Sequence, residues 1–175
     1  MTMTLHAVRR LIEAFVALMV GAGIPVRWGG IAGVSAAGEI HLPRPVTGEA
    51  DEVALLTRLA VHEAGHIVHT QAGWDARLTG PERAIFNALE DPRMERAQCL
   101  NYPGAAIVLA RGLDEMLQEI EQHVATRLAT HPERAMQLEL LIRGFLLLAP
   151  HEPVLRHAPA LLATLAPALG PIQHR

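Results

Sequence analysis

Apolar positions recur at helical spacing along most of the chain, with two short stretches of a different kind near the N-terminus. Leu11, Phe15, Leu18 and Met19 predict an amphipathic helix from about Leu5 to Val20, stopped by Gly21 and Gly23. Ile24-Pro25-Val26-Arg27-Trp28 reads as a short strand, Gly29, Gly30 and Gly33 break the chain, and Gly38-Glu39-Ile40-His41-Leu42-Pro43 reads as a second strand. A long helix is expected from about Glu49 to Gln71, with Leu55, Leu56, Leu59 and Ala60 on its buried side and Gly73 as its stop.

The next helix carries a start signal: Thr79 to cap, Pro81 early and Glu82 three residues after the threonine. It runs through Ile85, Phe86 and Leu89 to Pro92, where it either kinks or gives way to a new helix with Asp91 as N-cap. Asn101 to Gly104 reads as a loop. Helices follow over about Ala105 to Thr130, Pro132 to Leu148 and Val154 to Leu169, with Pro150 to Pro153 as a joint. The pattern predicts an α+β, mostly helical chain with two or three strands and five or six helices. Its expected division is a core over 1–104 and a helical C-terminal subdomain over 105–175.

Composition narrows the function more than the fold. Half of the 175 residues are hydrophobic and only 3% are aromatic, a Leu- and Ala-rich balance that favours helix. The net charge is −3 and all fifteen cations are Arg, so no basic surplus suggests nucleic-acid binding. One cysteine, Cys99, excludes an internal disulfide and a cysteine-rich zinc cluster. Arg9-Arg10 before an apolar run imitates a leader peptide, but Glu13 interrupts the run and Gly21-Ala22-Gly23 is a poor cleavage site. No run approaches the ~20 apolar residues of a membrane span. The expected location is the cytoplasm, away from membranes.

The chemistry sits in Val61-His62-Glu63-Ala64-Gly65-His66, an H-E-x-x-H in the middle of an expected helix. Residues four apart share a helix face, so two imidazoles can converge on one ion, and Zn2+ is the usual choice for neutral nitrogen ligands. Glu63 beside them can take a proton from a water and return it to a leaving amine. Gly65 costs helix stability of ~1 kcal/mol against alanine, which calls for a local reason.

A catalytic zinc needs a third protein ligand. His69 is seven residues from His62, ~10 Å along the axis, too far to join that pair; it is expected at the helix end. The next helix offers Glu90, Asp91 and Glu95. Glu90 is the preferred ligand. Asp91 is the alternative, or a helix cap, and Glu95 is expected as a surface charge beside Arg93 or Arg96. Asp91 or Asn87 could also orient a ligating histidine through its far nitrogen. Tyr102 is a candidate oxyanion donor, with His123 and Arg93 as weaker ones.

His62-Glu63-Ala64-Gly65-His66, followed by Asn87-Ala88-Leu89-Glu90-Asp91-Pro92-Arg93-Met94-Glu95, resembles the gluzincin-type metallopeptidase-like domain that precedes the von Willebrand A domain in proteins related to the cobaltochelatase CobT subunit. The segment Gly38 to Pro43 also resembles the strand before the active-site helix of zincins. The likeness covers about Ile24 to Glu95; Met94 stands where that group has a β-branched residue, and no von Willebrand A domain follows within these residues. The resemblance implies a zincin fold with His62, His66 and Glu90 on zinc and Glu63 as general base.

The expected function is therefore a zinc metallopeptidase acting on a peptide or protein. Its substrate would lie extended along Glu39, Ile40, His41 and Leu42. One variant is a protease dedicated to a single partner. The rival is a non-catalytic, zinc-stabilised interaction module, related to chelatase-associated proteins, that recruits a protein partner through its C-terminal helices. The apolar stretch Leu140 to Leu148 supports the rival.

Overall fold

Thr4 starts α1 (Leu5–Val20) by accepting the Ala7 N–H at 3.2 Å on its hydroxyl, a cap that contributes ~1 kcal/mol. The buried face of α1 is Val8, Ile12, Val16 and Met19. This corrects half of the expected face: Met19 is buried and Phe15 packs against the core, whereas Leu11 and Leu18 point outward and Leu18 is 77% exposed. Two interleaved sets of apolar residues satisfy the same period, and packing selected the one rich in β-branched side chains.

These details come from a computed structural model that describes residues 2–21, 23–71, 73, 77–128 and 132–169. The side chains of residues 115, 119, 123–128, 132, 133 and 167–169 lie outside that description, and with them the His123 candidate. The described residues are α+β and mostly helical, with six helices and one small sheet.

Three strands form the sheet: β1 (Val26–Trp28), β2 (Gly33–Val34) and β3 (Ile40–Leu42), in the order β1-β3-β2. β3 pairs parallel with β1 (Ile40 opposite Val26) and antiparallel with β2 (Ile40 opposite Val34). Ile40 and Leu42 are fully buried. The sequence gives no sign of β2, which is two residues long and starts on a glycine. Its existence overturns one expectation: β3 is the central strand, with its ladder positions used on both sides. A substrate cannot add itself along Glu39 to Leu42 by strand pairing; the open edges belong to β1 and β2.

α2 (Ala50–His69) follows and packs on α1 and the sheet. Its N-terminal end is held by one side chain. Glu52 accepts the backbone N–H groups of Val46 (2.7 Å), Thr47 (2.8 Å) and Gly48 (2.7 Å) and the Thr47 hydroxyl (3.0 Å). Those donors lower the Glu52 pKa to about 2. Gly48 has φ +70°, and a Cβ there would stand 2.1 Å from the Met3 carbonyl oxygen, so only glycine fits this passage. Leu56 and Ala60 are buried on α2 as expected, whereas Leu55 is exposed.

α3 (Gly80–Asn101) opens on the expected capping pair: Glu82 accepts from the N–H of Thr79 at 2.8 Å and from its hydroxyl at 2.7 Å. The helix continues through Pro92 without a second start. Pro92 has no N–H for the Ala88 carbonyl, and its buried ring faces Gly144, where a Cβ would stand 3.0 Å from Pro92 Cγ and 3.3 Å from the Ala88 oxygen. The expected loop at Asn101 to Gly104 shrinks to Tyr102, because α4 (Pro103–Leu128) begins at once. α5 (Pro132–Leu148) and α6 (Glu152–Leu169) are joined across a tight turn in which the His151 N–H donates to the Ala149 carbonyl at 2.7 Å.

The chain groups into two compact units, residues 1–76 with 97–112 and residues 77–96 with 113–175. This differs from a boundary near residue 104, because α3 and α4 each contribute to both groups. The first unit centres on Val8, Ile12, Val16, Ile40, Leu42, Leu56, Ala60 and Leu109. The second centres on Leu113, Leu117, Ile142, Phe145, Val154, Leu161 and Leu165. Burial of each large apolar side chain contributes ~1.5–3 kcal/mol. Of the stretch Leu140 to Leu148, Ile142 and Phe145 are buried and Leu147 is 78% exposed. Among the described residues, no helix is long and apolar enough to cross a membrane.

Candidate metal centre

The last two turns of α2 place His62 and His66 on one face, as their spacing requires. Their Nε2 atoms stand 3.2 Å apart, and the rings meet edge to face with centroids at 4.9 Å. Two nitrogens each ~2.05 Å from one zinc at the tetrahedral angle lie about 3.3 Å apart. The pair therefore already has the separation that one zinc ion would impose.

The other side of the His66 ring is also engaged: Nδ1 lies 2.9 Å from the Thr70 hydroxyl. Thr70 is the C-cap of α2, with extended backbone (φ −101°, ψ 130°), and its N–H donates to the His66 carbonyl at 3.0 Å. The helix thus ends at His69, ahead of the expected stop at Gly73. Thr70 went unnoticed in the sequence, although a hydroxyl four residues beyond a candidate ligand is a readable signal. His69, the last helical residue, donates from Nε2 to the Gln98 Oε1 at 2.9 Å, and buried Gln98 donates onward to the Met19 sulfur at 3.3 Å. His69 thus stands at the helix end, bonded to Gln98.

Glu63 follows His62 and is buried, with 7% of its surface exposed. On α2, His62 and His66 each turn one ring nitrogen toward the other, and the pair could contribute two ligand atoms to one metal ion. Both histidines are half-buried. On α3 the buried Glu90 carboxylate receives Arg93 twice, from Nε at 2.6 Å and from a terminal nitrogen at 2.5 Å. That fork raises the Arg93 pKa further.

Several expected roles find other employment. Glu95 is not a surface charge: it is fully buried, with an oxygen 3.3 Å from His151 Nε2, itself only 10% exposed. The helical wheel could not reveal this, because the partner, His151, comes from the distant turn between α5 and α6. Asn87 is exposed, and it is Thr70 that meets the far nitrogen of His66. The only phenol, Tyr102, donates its hydroxyl proton to the Met19 carbonyl at 3.1 Å, so it is spent on holding α1 and is no free oxyanion donor. Arg93 is committed to Glu90. On the sheet, Glu39 accepts from Arg27 at 2.7 Å, which lowers its pKa, and lies 3.9 Å from His41.

No protein-family model, curated protein or solved structure matches this chain. The site must be argued from its own geometry.

Proposed function

We propose that the chain is a zinc-dependent metallopeptidase of the zincin kind, with His62, His66 and Asp91 as ligands and Glu63 as general base. The observation that carries this reading is the 3.2 Å separation of the two Nε2 atoms within an H-E-x-x-H. Asp91 is preferred to Glu90 as the third ligand, because the Glu90 oxygens receive Arg93. The resemblance to the peptidase-like domain of CobT-related proteins points to the same class of chemistry, with one neighbouring carboxylate exchanged for the next.

Zinc, when bound, supplies a Lewis acid that polarises the scissile carbonyl and makes water acidic enough to give up a proton near neutral pH. Glu63 takes that proton on a carboxylate oxygen and passes it to the leaving amine nitrogen. Its burial keeps bulk water away and strengthens its field at the reacting atoms. The same burial is the one observation that favours the rival reading, a zinc-stabilised interaction module without hydrolysis.

Metal analysis of the purified chain, followed by hydrolysis of a mixed peptide library, decides between them. The expected result is one zinc per chain and cleavage that falls by ~10²–10⁴ in Glu63→Gln with zinc retained. Zinc without any cleavage of peptides or proteins establishes the module, and cleavage that survives Glu63→Gln overturns the assigned mechanism.

A further inference from the structure

Among the described residues, Thr57, Thr70 and Thr164 each sit four residues after a residue they touch. Thr57 and Thr164, inside helices, place their hydroxyls on the carbonyls of Val53 (2.7 Å) and Ala160 (2.9 Å), the ordinary resting place of a helical threonine. Thr70 does otherwise. Its backbone has left the helix, its own N–H takes the His66 carbonyl, and its hydroxyl meets the His66 ring at Nδ1. A β-branched side chain has few χ1 choices, so the hydroxyl is held there by the backbone that ends the helix.

We infer that Thr70 is a positioning residue that presets His66 for metal: it accepts the Nδ1–H and leaves Nε2 bare as the ligand atom. The inference rests on the proposed reading of His62 and His66 as ligands. A neutral imidazole has one ring proton. With that proton on Nδ1 toward Thr70, His66 Nε2 is an acceptor, and His62 fills the 3.2 Å gap in the metal-free chain by donating its own Nε2–H. Metal binding then requires His62 alone to move its ring proton to Nδ1. The two histidines of one motif are thus unequal: His66 is ready and His62 must adjust. Hydrogen bonds to the far nitrogen of a ligating histidine fix its tautomer and orientation in this way.

The test uses the full chain, zinc alone as probe, and two variants. Nitrogen NMR of the metal-free protein should find His66 as the Nδ1–H tautomer and His62 as the Nε2–H tautomer. Thr70→Val, which keeps the shape and the backbone bond, should weaken zinc about tenfold in a chelator competition, with Thr70→Ser staying within about threefold of the parent. Equal affinity in the parent and Thr70→Val, or an Nε2–H tautomer at His66, overturns the inference while leaving the metal site intact. A parent chain that binds no zinc overturns the metallopeptidase reading instead; the tautomer of His66 in the parent and in Thr70→Val then decides this inference alone. Should Thr70→Val fail to fold, Thr70→Ala against Thr70→Ser makes the same comparison.

Discussion

At its N-terminal end α2 gathers three backbone donors and a hydroxyl onto the single carboxylate of Glu52; at its C-terminal end it turns two imidazole nitrogens toward each other. Both ends are ordered by side chains acting across one helical turn. The first arrangement is complete: donors meet an acceptor, and nothing further is called for. The second holds two ring nitrogens 3.2 Å apart, close to the separation that one zinc ion would impose. On the proposed reading, the first end serves folding and the second serves chemistry.

The largest expected break of this contrast is at the histidine end. His62→Ala should cost zinc affinity on the order of a hundredfold or more, and Asp91→Ala on the order of tenfold or more, in a chelator competition. Glu90→Ala should leave affinity close to that of the parent. If Glu90→Ala loses the metal and Asp91→Ala keeps it, the ligand assignment is reversed.

Next in size is Glu52→Gln. It should leave zinc binding unchanged and lower the urea midpoint at neutral pH. The Glu52 pKa is held down to about 2 in the fold, against ~4.3 in an unfolded chain. Its stabilisation is therefore present above pH ~4.3 and is lost as the pH falls through about 2. The gap between parent and variant should close over that window; a constant gap would show that the charge is not its cause.

The smallest effect belongs to the second unit. His157 donates from Nδ1 toward Glu121 at 2.7 Å and from Nε2 toward Asp114 at 3.0 Å, with Arg156 also on Asp114. The hydrogen bond to Glu121, and after it that to Asp114, raises the His157 pKa. The stabilisation is thus full below the ordinary histidine value of ~6.5 and fades as the pH rises through the raised one. His157→Gln should destabilise in urea titrations at pH 6 and be close to neutral at pH 9. A loss of equal size at both pH values would mean the ring acts by packing.

Helices were legible because their apolar period is long and repeated; α1 and α5 begin and end where the pattern places them. What period alone could not choose was the face, and α1 buries Ile12 where Leu11 was expected. Strand order was not legible at all, since nothing local in Gly33-Val34 says that it will flank β3. Of the site, His62, Glu63 and His66 were written in their spacing. The choice between Glu90 and Asp91 is not written there, because neighbouring helical residues point ~100° apart and spacing alone does not select one of them. Glu95 was misjudged for the same reason.

Pro92 and Gly144 carry a consequence for how such a sequence can drift. The ring at 92 and the carbonyl of Ala88 occupy the space a methyl group at 144 would need. An alanine at 144 becomes comfortable only after the proline ring has gone. The two positions form a ratchet, tolerant of change in one order and resistant in the other.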